Sequence, residues 1–394
     1  MDAETDIRIS RLIWAALRAR RSVMRLAVVA LIPALIAGLI DISAAVSESE
    51  LERIISSDIT AMVPADGGGG VAVAVRMKGQ NSFFNYGFAD RAVNRAITSD
   101  SLFNLASLRK LFEVTLLALA VKQGELRLDD PAAKYVIELR QESYISRVTL
   151  GQLATHTSGL LLPTDHPPWP DYRYTLSEFF RVLNARTPDQ GQEPGKQHIY
   201  SHAGFVLLQL ALERKFAAPI GELMRHHIFE PLGLSSTAVP ERGSDGRAEL
   251  PPALMGHAVQ GYSAAGSQIG APGDQQGYFD FPGTGQMFSS TRDLAVFLAA
   301  HLGELQLDRL LWEAMQFTQQ GVFAMSARNV QALAWEISDY GGPLIIDKPG
   351  GLNNASTYIG MIPSKKLGII ILANRGDQHP YEVARDRILP ALAR

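Results

Sequence analysis

The chain of 394 residues has no cysteine. That absence excludes disulfides, thiolate metal sites, iron–sulfur clusters and a cysteine nucleophile together, and it leaves the redox compartment open. An excess of one charge is missing too. The 37 basic residues face 40 acidic ones, a net charge of −3 at pH 7, so no nucleic-acid partner is expected of the chain as a whole. There is no His-Glu-x-x-His. His198 and His202 are four apart and His226 and His227 are adjacent, but no carboxylate is spaced to complete a site with them. Neither a metal nor another cofactor is therefore expected. No serine lies in Gly-x-Ser-x-Gly, which disfavours an α/β-hydrolase elbow. Gly67–Gly70 is followed by neither a Lys-Ser/Thr nor a dinucleotide-binding spacing, and it reads as a flexible break in the chain. No internal repeat is present.

Leu26–Ile40 is uncharged and apolar over fifteen residues, short for a bilayer span of about 20 residues and suited to the apolar region of a signal peptide. Arg18, Arg20, Arg21 and Arg25 precede it, and Ser43-Ala44-Ala45 fits a cleavage site. Residues 1–45 are expected to be a signal peptide directing the chain to the periplasm. Ala19–Arg25 resembles a twin-arginine signal; a start at Met24 would instead leave a compact Sec-type signal, and an uncleaved anchor is the bland alternative. The remaining 46–394 carries 31 basic and 36 acidic residues. The chain is 46% apolar and 20% charged, enough to bury a core. A monomer without a membrane partner is expected once the signal is removed.

Strand patterns gather at the two ends. Val71–Met77 is apolar and β-branched, Ser82–Phe88 is aromatic-rich, and Lys78-Gly79-Gln80-Asn81 joins them as a hairpin link. Leu344–Lys348, Ser356–Ile362 and Leu367–Ala373 close the chain, with Pro363–Lys366 as a turn. Between them the spacing predicts helices over Ser107–Gln123, Ala203–Phe216 and Thr291–Leu302, the last capped by Ser290. The expectation is an α+β domain over 46–394. Its antiparallel sheet comes from 46–104 and 331–394, and its mainly helical region from 105–330.

Three short motifs could carry chemistry. Ser107-Leu108-Arg109-Lys110 is the one Ser-x-x-Lys in the chain. Residues i and i+3 share a helix face, so a hydroxyl and an amine become neighbours. A serine is a weak nucleophile until a base takes its proton, and Leu108, Leu111 and Phe112 give Lys110 an apolar surround. Taken alone, the motif also fits a capping serine and a solvated lysine. Tyr200-Ser201-His202 opens the Ala203 helix, where its bland reading is an aromatic at a helix entry with Ser201 as N-cap. Lys348-Pro349-Gly350-Gly351 ends a strand-like run, where its bland reading is a turn after an edge strand.

In this order the three resemble the serine β-lactamase and penicillin-binding-protein superfamily, whose pattern is Ser-x-x-Lys, Tyr-x-Asn and Lys-Thr-Gly. The resemblance is closest to class C β-lactamases. Supporting stretches are Tyr86–Asp90, Leu128–Tyr135, Leu153–Leu160, Phe229–Leu234, Ala334–Ile337 and the run from Tyr358 to Asn374. It implies a β-lactamase/transpeptidase-like fold, helices flanking an antiparallel sheet with the site between, and a small-molecule β-lactam or related amide or ester as substrate. Ser107 would be the acylated nucleophile, with Lys110 and Tyr200 sharing the general-base work. The backbone N–H groups of Ser107 and Gly351 would form the oxyanion hole. Lys348, with Asn374 or Arg375, would hold a substrate carboxylate. The pattern is broken at three places. His202 replaces the family's Asn; a neutral imidazole also offers one donor and one acceptor. Pro349 replaces Thr and deletes a hydroxyl. In this resemblance Pro163 stands where class C enzymes often carry Gln. These changes bear on substrate identity, so a β-lactamase-like esterase or D-amino-acid peptidase is the second expectation. A penicillin-binding sensor that acylates without turnover is the third.

Overall fold

The computed structural model describes residues 47–160, 175–242, 248–273 and 287–394. The expected signal peptide at 1–45 and Pro163 lie outside the described residues. No helix among the described residues is long and apolar enough to cross a membrane. Ser49–Arg394 forms one compact unit.

Its centre is a nine-stranded antiparallel sheet. The strands are β1 (Gly70–Met77), β2 (Gln80–Asp90), β3 (Arg95–Ala96), β4 (Phe323–Ala324), β5 (Asn329–Gln331), β6 (Glu336–Ser338), β7 (Ile345–Leu352), β8 (Ala355–Ile362) and β9 (Leu367–Ala373). Their spatial order is β4-β5-β6-β7-β8-β9-β1-β2-β3. The two ends of the chain meet where β1 pairs with β9, from Val71↔Ala373 to Met77↔Leu367. Both strands are buried nearly throughout. Strands covered on both faces read as continuous apolar runs, and GVAVAVRM and LGIIILA do so.

Helices occupy the middle of the chain: α2 (Arg109–Lys122), α3 (His202–Phe216), α4 (Thr291–His301) and α5 (Arg309–Thr318), with α1 (Glu48–Ile59) before the first strand. α2 is buried on every face from Arg109 to Ala120, the mark of a helix central to a core. It meets α4 where Phe112 stacks on Phe297 with ring centroids 4.1 Å apart. α4 lies on β9 at Gly368, where a Cβ would stand 2.6 Å from Leu298. Ser201 and Ser290 cap α3 and α4, each accepting a backbone N–H of the first turn. The α+β expectation therefore holds.

Four details differ from the sequence reading. The hairpin link is two residues, Lys78 and Gly79, both in the left-handed region at φ 52° and 79°. That is the mirror-image turn that matches strand twist, so Gln80 and Asn81 continue β2 opposite Met77 and Arg76. The sheet reaches back past the expected boundary at 331, because β4 and the start of β5 belong to it. Gly67–Gly70 is no flexible break: Gly68 N donates to Asp66 Oδ1 at 2.7 Å, Gly70 N donates to Asn374 Oδ1 at 2.7 Å, and Arg375 holds Asp66 at 2.9 Å. Nor is the strand holding Pro349 a sheet edge. β7 lies between β6 and β8, but its register with β6 stops at Asp347↔Glu336. Pro349 faces Tyr358 on one side and no strand on the other, so its missing N–H costs no ladder bond.

Beneath β7 lies an ion pair. Asp347 is fully buried and takes two bonds from Arg385, at 2.6 and 2.8 Å, and a third from the Tyr358 hydroxyl at 2.7 Å. Burial pushes the Asp347 carboxyl up, against the pull of Arg385. Removing one partner of a buried pair leaves an uncompensated charge. Arg385→Ala should therefore lower stability by roughly 3–5 kcal/mol, read as the denaturant midpoint; a change of less than about 1 kcal/mol, the worth of an exposed pair, would show that water screens this site.

Candidate active site

Ser107 owes its position to a strained turn. Asn104 ends a short strand that pairs with Phe288–Ser289, and its Oδ1 accepts the Ala106 N–H at 3.1 Å. Ala106 sits at φ 50°, an uncommon conformation for a residue with a Cβ. Ser107 follows in a 3-10 turn, Ala106–Leu108, and α2 begins only at Arg109. The expected helix over Ser107–Gln123 thus starts two residues late, and the tighter turn suits the motif. Residues i and i+3 nearly eclipse in a 3-10 turn, and Lys110 Nζ reaches Ser107 Oγ at 3.4 Å. β7 closes against this turn at Gly350: a Cβ there would lie 3.0 Å from Ser107 N and 2.3 Å from Thr357 Oγ1. Thr357 ties β8 to the same turn, its hydroxyl donating to Leu105 O at 3.0 Å.

Tyr200 approaches from the residue pair before α3. Its hydroxyl is 2.6 Å from Ser107 Oγ. The Lys110 and Lys348 ammonium groups lie 5.4 and 4.9 Å from the centre of its ring, and both lysines are almost wholly buried. Burial alone would raise the phenol, but Lys110 and Lys348, with the Ser107 hydrogen bond, outweigh it and hold Tyr200 below the ordinary phenol value. The sequence motifs Ser107, Lys110, Tyr200 and Lys348 are therefore one cluster.

Three further residues complete it, and none carries a motif. Glu336 opens β6 and accepts from Lys348 Nζ at 3.2 Å. Its other oxygen is 3.7 Å from Arg385. Burial would lower the Lys348 ammonium, but Glu336 and the Tyr200 phenol keep it above the usual lysine value. Burial would likewise raise the Glu336 carboxyl, and Lys348 and Arg385 hold it down. His156 stacks on Tyr200 with ring centroids 4.2 Å apart, and its Nδ1 accepts the Ser201 N–H at 3.2 Å. Burial, then Lys348 and Lys110, push His156 well below the usual imidazole value, so it is neutral with its proton on Nε2. His198 hydrogen-bonds Gln331 at 2.9 Å. A stretch with a family look contained each of Glu336 and His156; only the approach of β6 to β7, and of the 156 turn to α3, shows what they touch.

His202 is the first residue of α3, its ring edge-on to Tyr200 at 5.4 Å. Gly351 is exposed on β7 opposite Ser356. The reading of Asn374 and Arg375 as a carboxylate grip is corrected. Asn374 is fully buried; it accepts from Gly70 N and donates to Phe88 O at 3.1 Å and Gln260 O at 2.7 Å. Arg375 is spent on Asp66, Asp377 and the Ala264 carbonyl. Both hold the 66–70 turn. Among the described residues no three His, Asp or Glu side chains stand together as a metal site.

Comparison with known proteins gives a consistent picture. The beta-lactamase family profile matches residues 56–393. A beta-lactamase of Pseudomonas fluorescens is 25% identical, aligned over 87% of this chain and 99% of that protein. One of Escherichia coli K12 is 26% identical, over 87% and 94%. Among solved structures, a class C beta lactamase from Rhodobacter sphaeroides has 27% identity and a TM-score of 0.73, covering 87% of this chain and 99% of its own. A D-alanine carboxypeptidase from Burkholderia cenocepacia has 25% identity and a TM-score of 0.74, covering 88% and 100%.

If Tyr200 takes the Ser107 proton, Ser107 should react only where the phenol is ionised. A fluorophosphonate probe should label Ser107 with a rate that falls as pH drops through the lowered Tyr200 value. Lys348→Met removes one of the two cations favouring the phenolate, so this acid limb should move upward by about one pH unit. An unmoved limb would mean that Lys348 does not set the base.

Proposed function

The chain belongs to the beta-lactamase family, and from that premise we propose that it is an exported serine β-lactamase of the class C type. The observation that carries the reading is the 2.6 Å contact of Ser107 Oγ with a Tyr200 phenol set between Lys110 and Lys348. In the proposed cycle, the Tyr200 phenolate takes the Ser107 proton and Oγ attacks the lactam carbonyl. Negative charge gathers on the carbonyl oxygen, facing the N–H groups of Ser107 and Gly351. Donors of this kind are each worth about 100- to 1,000-fold in rate. Gly350 supports the pairing, since only its lack of a side chain lets β7 come so close to the Ser107 amide. The C–N bond breaks as Tyr200 returns its proton to the leaving nitrogen. Water then attacks the acyl ester, again deprotonated by Tyr200, and Ser107 is released. Lys110 keeps the phenolate paired throughout, and His202 stands beside Tyr200 where it can meet the acyl carbonyl.

A second reading, a β-lactamase-like serine esterase, has an observation of its own. Pro349 offers neither N–H nor hydroxyl, and Asn374 and Arg375 are committed elsewhere, so a carboxylate beside the scissile bond has few partners here. Turnover of nitrocefin beside a short-chain nitrophenyl ester and a D-Ala-D-Ala peptide separates these readings.

Ser107→Ala should stay folded and form no covalent adduct with a β-lactam by intact mass; an adduct in the variant would remove Ser107 from its role. Tyr200→Phe should lower kcat by about 100- to 10,000-fold, while a loss below tenfold would hand the base role to Lys110. Export is tested by the N-terminal sequence of the periplasmic protein, expected to begin near Val46. A membrane-bound product beginning at Met1 or Met24 would make the first segment an anchor.

A further inference from the structure

One ion pair of α2 lies outside the cleft and takes no part in the cycle above. Arg109 and Glu113, with side chains 1% and 0% exposed, stand one helical turn apart, Arg109 Nε 2.8 Å from Glu113 Oε1. Arg109 also crosses to α3, where its Nη2 donates to Gln209 Oε1. Gln209 Nε2 donates in turn to Glu213 Oε1 at 2.9 Å. The same oxygen accepts the N–H of Ile220, which opens the short helix Ile220–Met224. The two helices are otherwise joined to the apolar core, through residues such as Leu116, Phe205, Leu208 and Leu212. Stability does not account for the ion pair. Arg109 Nη1 and Glu113 Oε2 are buried with no hydrogen-bond partner among the described residues. Burial pushes the Glu113 carboxyl up, against the pull of Arg109 and Lys110. A buried pair left partly unsatisfied is often worth no more than apolar side chains of the same volume.

We propose that Arg109 is a positioning residue for the reaction: by tying α2 to α3 at Gln209, it sets the register in which the Ser107 hydroxyl meets the Tyr200 phenol. The inference rests on the serine-acylation reading above. Ser107 lies two residues before Arg109, in the turn that runs into α2. Tyr200 lies two residues before the start of α3. The 2.6 Å contact between them therefore joins the same two helices that the guanidinium joins further along α3. Apolar packing is non-directional and allows small slides of one helix along another. A planar guanidinium does not, because its donors are fixed in direction. Glu113 aims it from within α2 and matches its charge, and Gln209 receives it at one setting of α3. A misplacement of about 1 Å between reacting groups can cost about 100-fold in rate. Arg109 thus acts through the Ser107–Tyr200 contact.

The test follows labelling of Ser107 by a fluorophosphonate probe, with the melting temperature measured alongside. Arg109→Met leaves Glu113 buried and unmatched, and should lower the melting temperature. Arg109→Met/Glu113→Leu removes both charges and should bring the melting temperature back near that of wild type. Gln209→Met keeps the ion pair and cuts only its tie to α3. In the double variant and in Gln209→Met the maximal labelling rate per folded molecule should fall about tenfold, with the half-saturating probe concentration unchanged. A merely structural role would lower the melting temperature and leave that rate alone. If the double variant does not fold, Gln209→Met decides. A maximal rate within twofold of wild type in Gln209→Met, or one that returns with stability in the double variant, overturns the assignment and leaves the serine-acylation reading standing. If the probe does not label Ser107 in wild type, the functional reading has failed and this inference falls with it.

Discussion

Everything at this site depends on one buried phenol held between two ammonium groups. Burying two like charges near each other is unfavourable unless negative charge is supplied within a few ångströms. Lys348 is matched by Glu336, and Arg385 by Asp347. Lys110 makes its close approaches to Ser107, Tyr200 and the ring of Phe205. In that linked set the charge still wanting is one negative, and Lys110 and Lys348 favour the Tyr200 phenol as the group to carry it. The charges packed around the phenol thus favour the proposed base. The phenol oxygen, 2.6 Å from Ser107 Oγ, is the proposed acceptor of the serine proton.

The fold's contribution is to bring three distant segments into contact and keep them there. Each approach has an identifiable steric device. Ala106 accepts a left-handed backbone so that Ser107 can turn into the cleft. Gly350 gives up a side chain so that β7 can lie against the Ser107 amide. His156 stacks on the face of Tyr200 and also takes the N–H of Ser201, the cap of α3. The last device fixes the tyrosine ring and the helix behind it together. These are costs in backbone strain and lost side-chain freedom, tolerated because the buried sheet and α2 over-determine the geometry around them.

Much of this was legible in the chain. Apolar runs of period two or none placed the long strands, and capping serines placed α3 and α4. Ser107, Lys110, Tyr200 and Lys348 could be named because their motifs are local, each within a few residues. What could not be read has one cause: it depends on registers between strands far apart in sequence. Glu336 is a partner of Lys348 only because the β6–β7 register ends at Glu336↔Asp347. Asn374 looked free to meet a substrate, whereas its oxygen is taken by Gly70, 304 residues earlier. Arg375 was misread for the same reason, its partner Asp66 being equally remote. The Gly67–Gly70 run looked loose by composition, and it is pinned by those same two side chains.

The central claim is that Tyr200 ionises more readily than an ordinary phenol in the free protein. The most direct measurement is a pH titration of the protein with tyrosines labelled at Cζ, observed by carbon NMR, with the Tyr200 resonance assigned by its loss in Tyr200→Phe. This resonance should move to its phenolate position below the ordinary phenol pKa of about 10. A Tyr200 resonance that titrates at or above that value would mean that burial outweighs the two lysines, and the tyrosine would then not be the base.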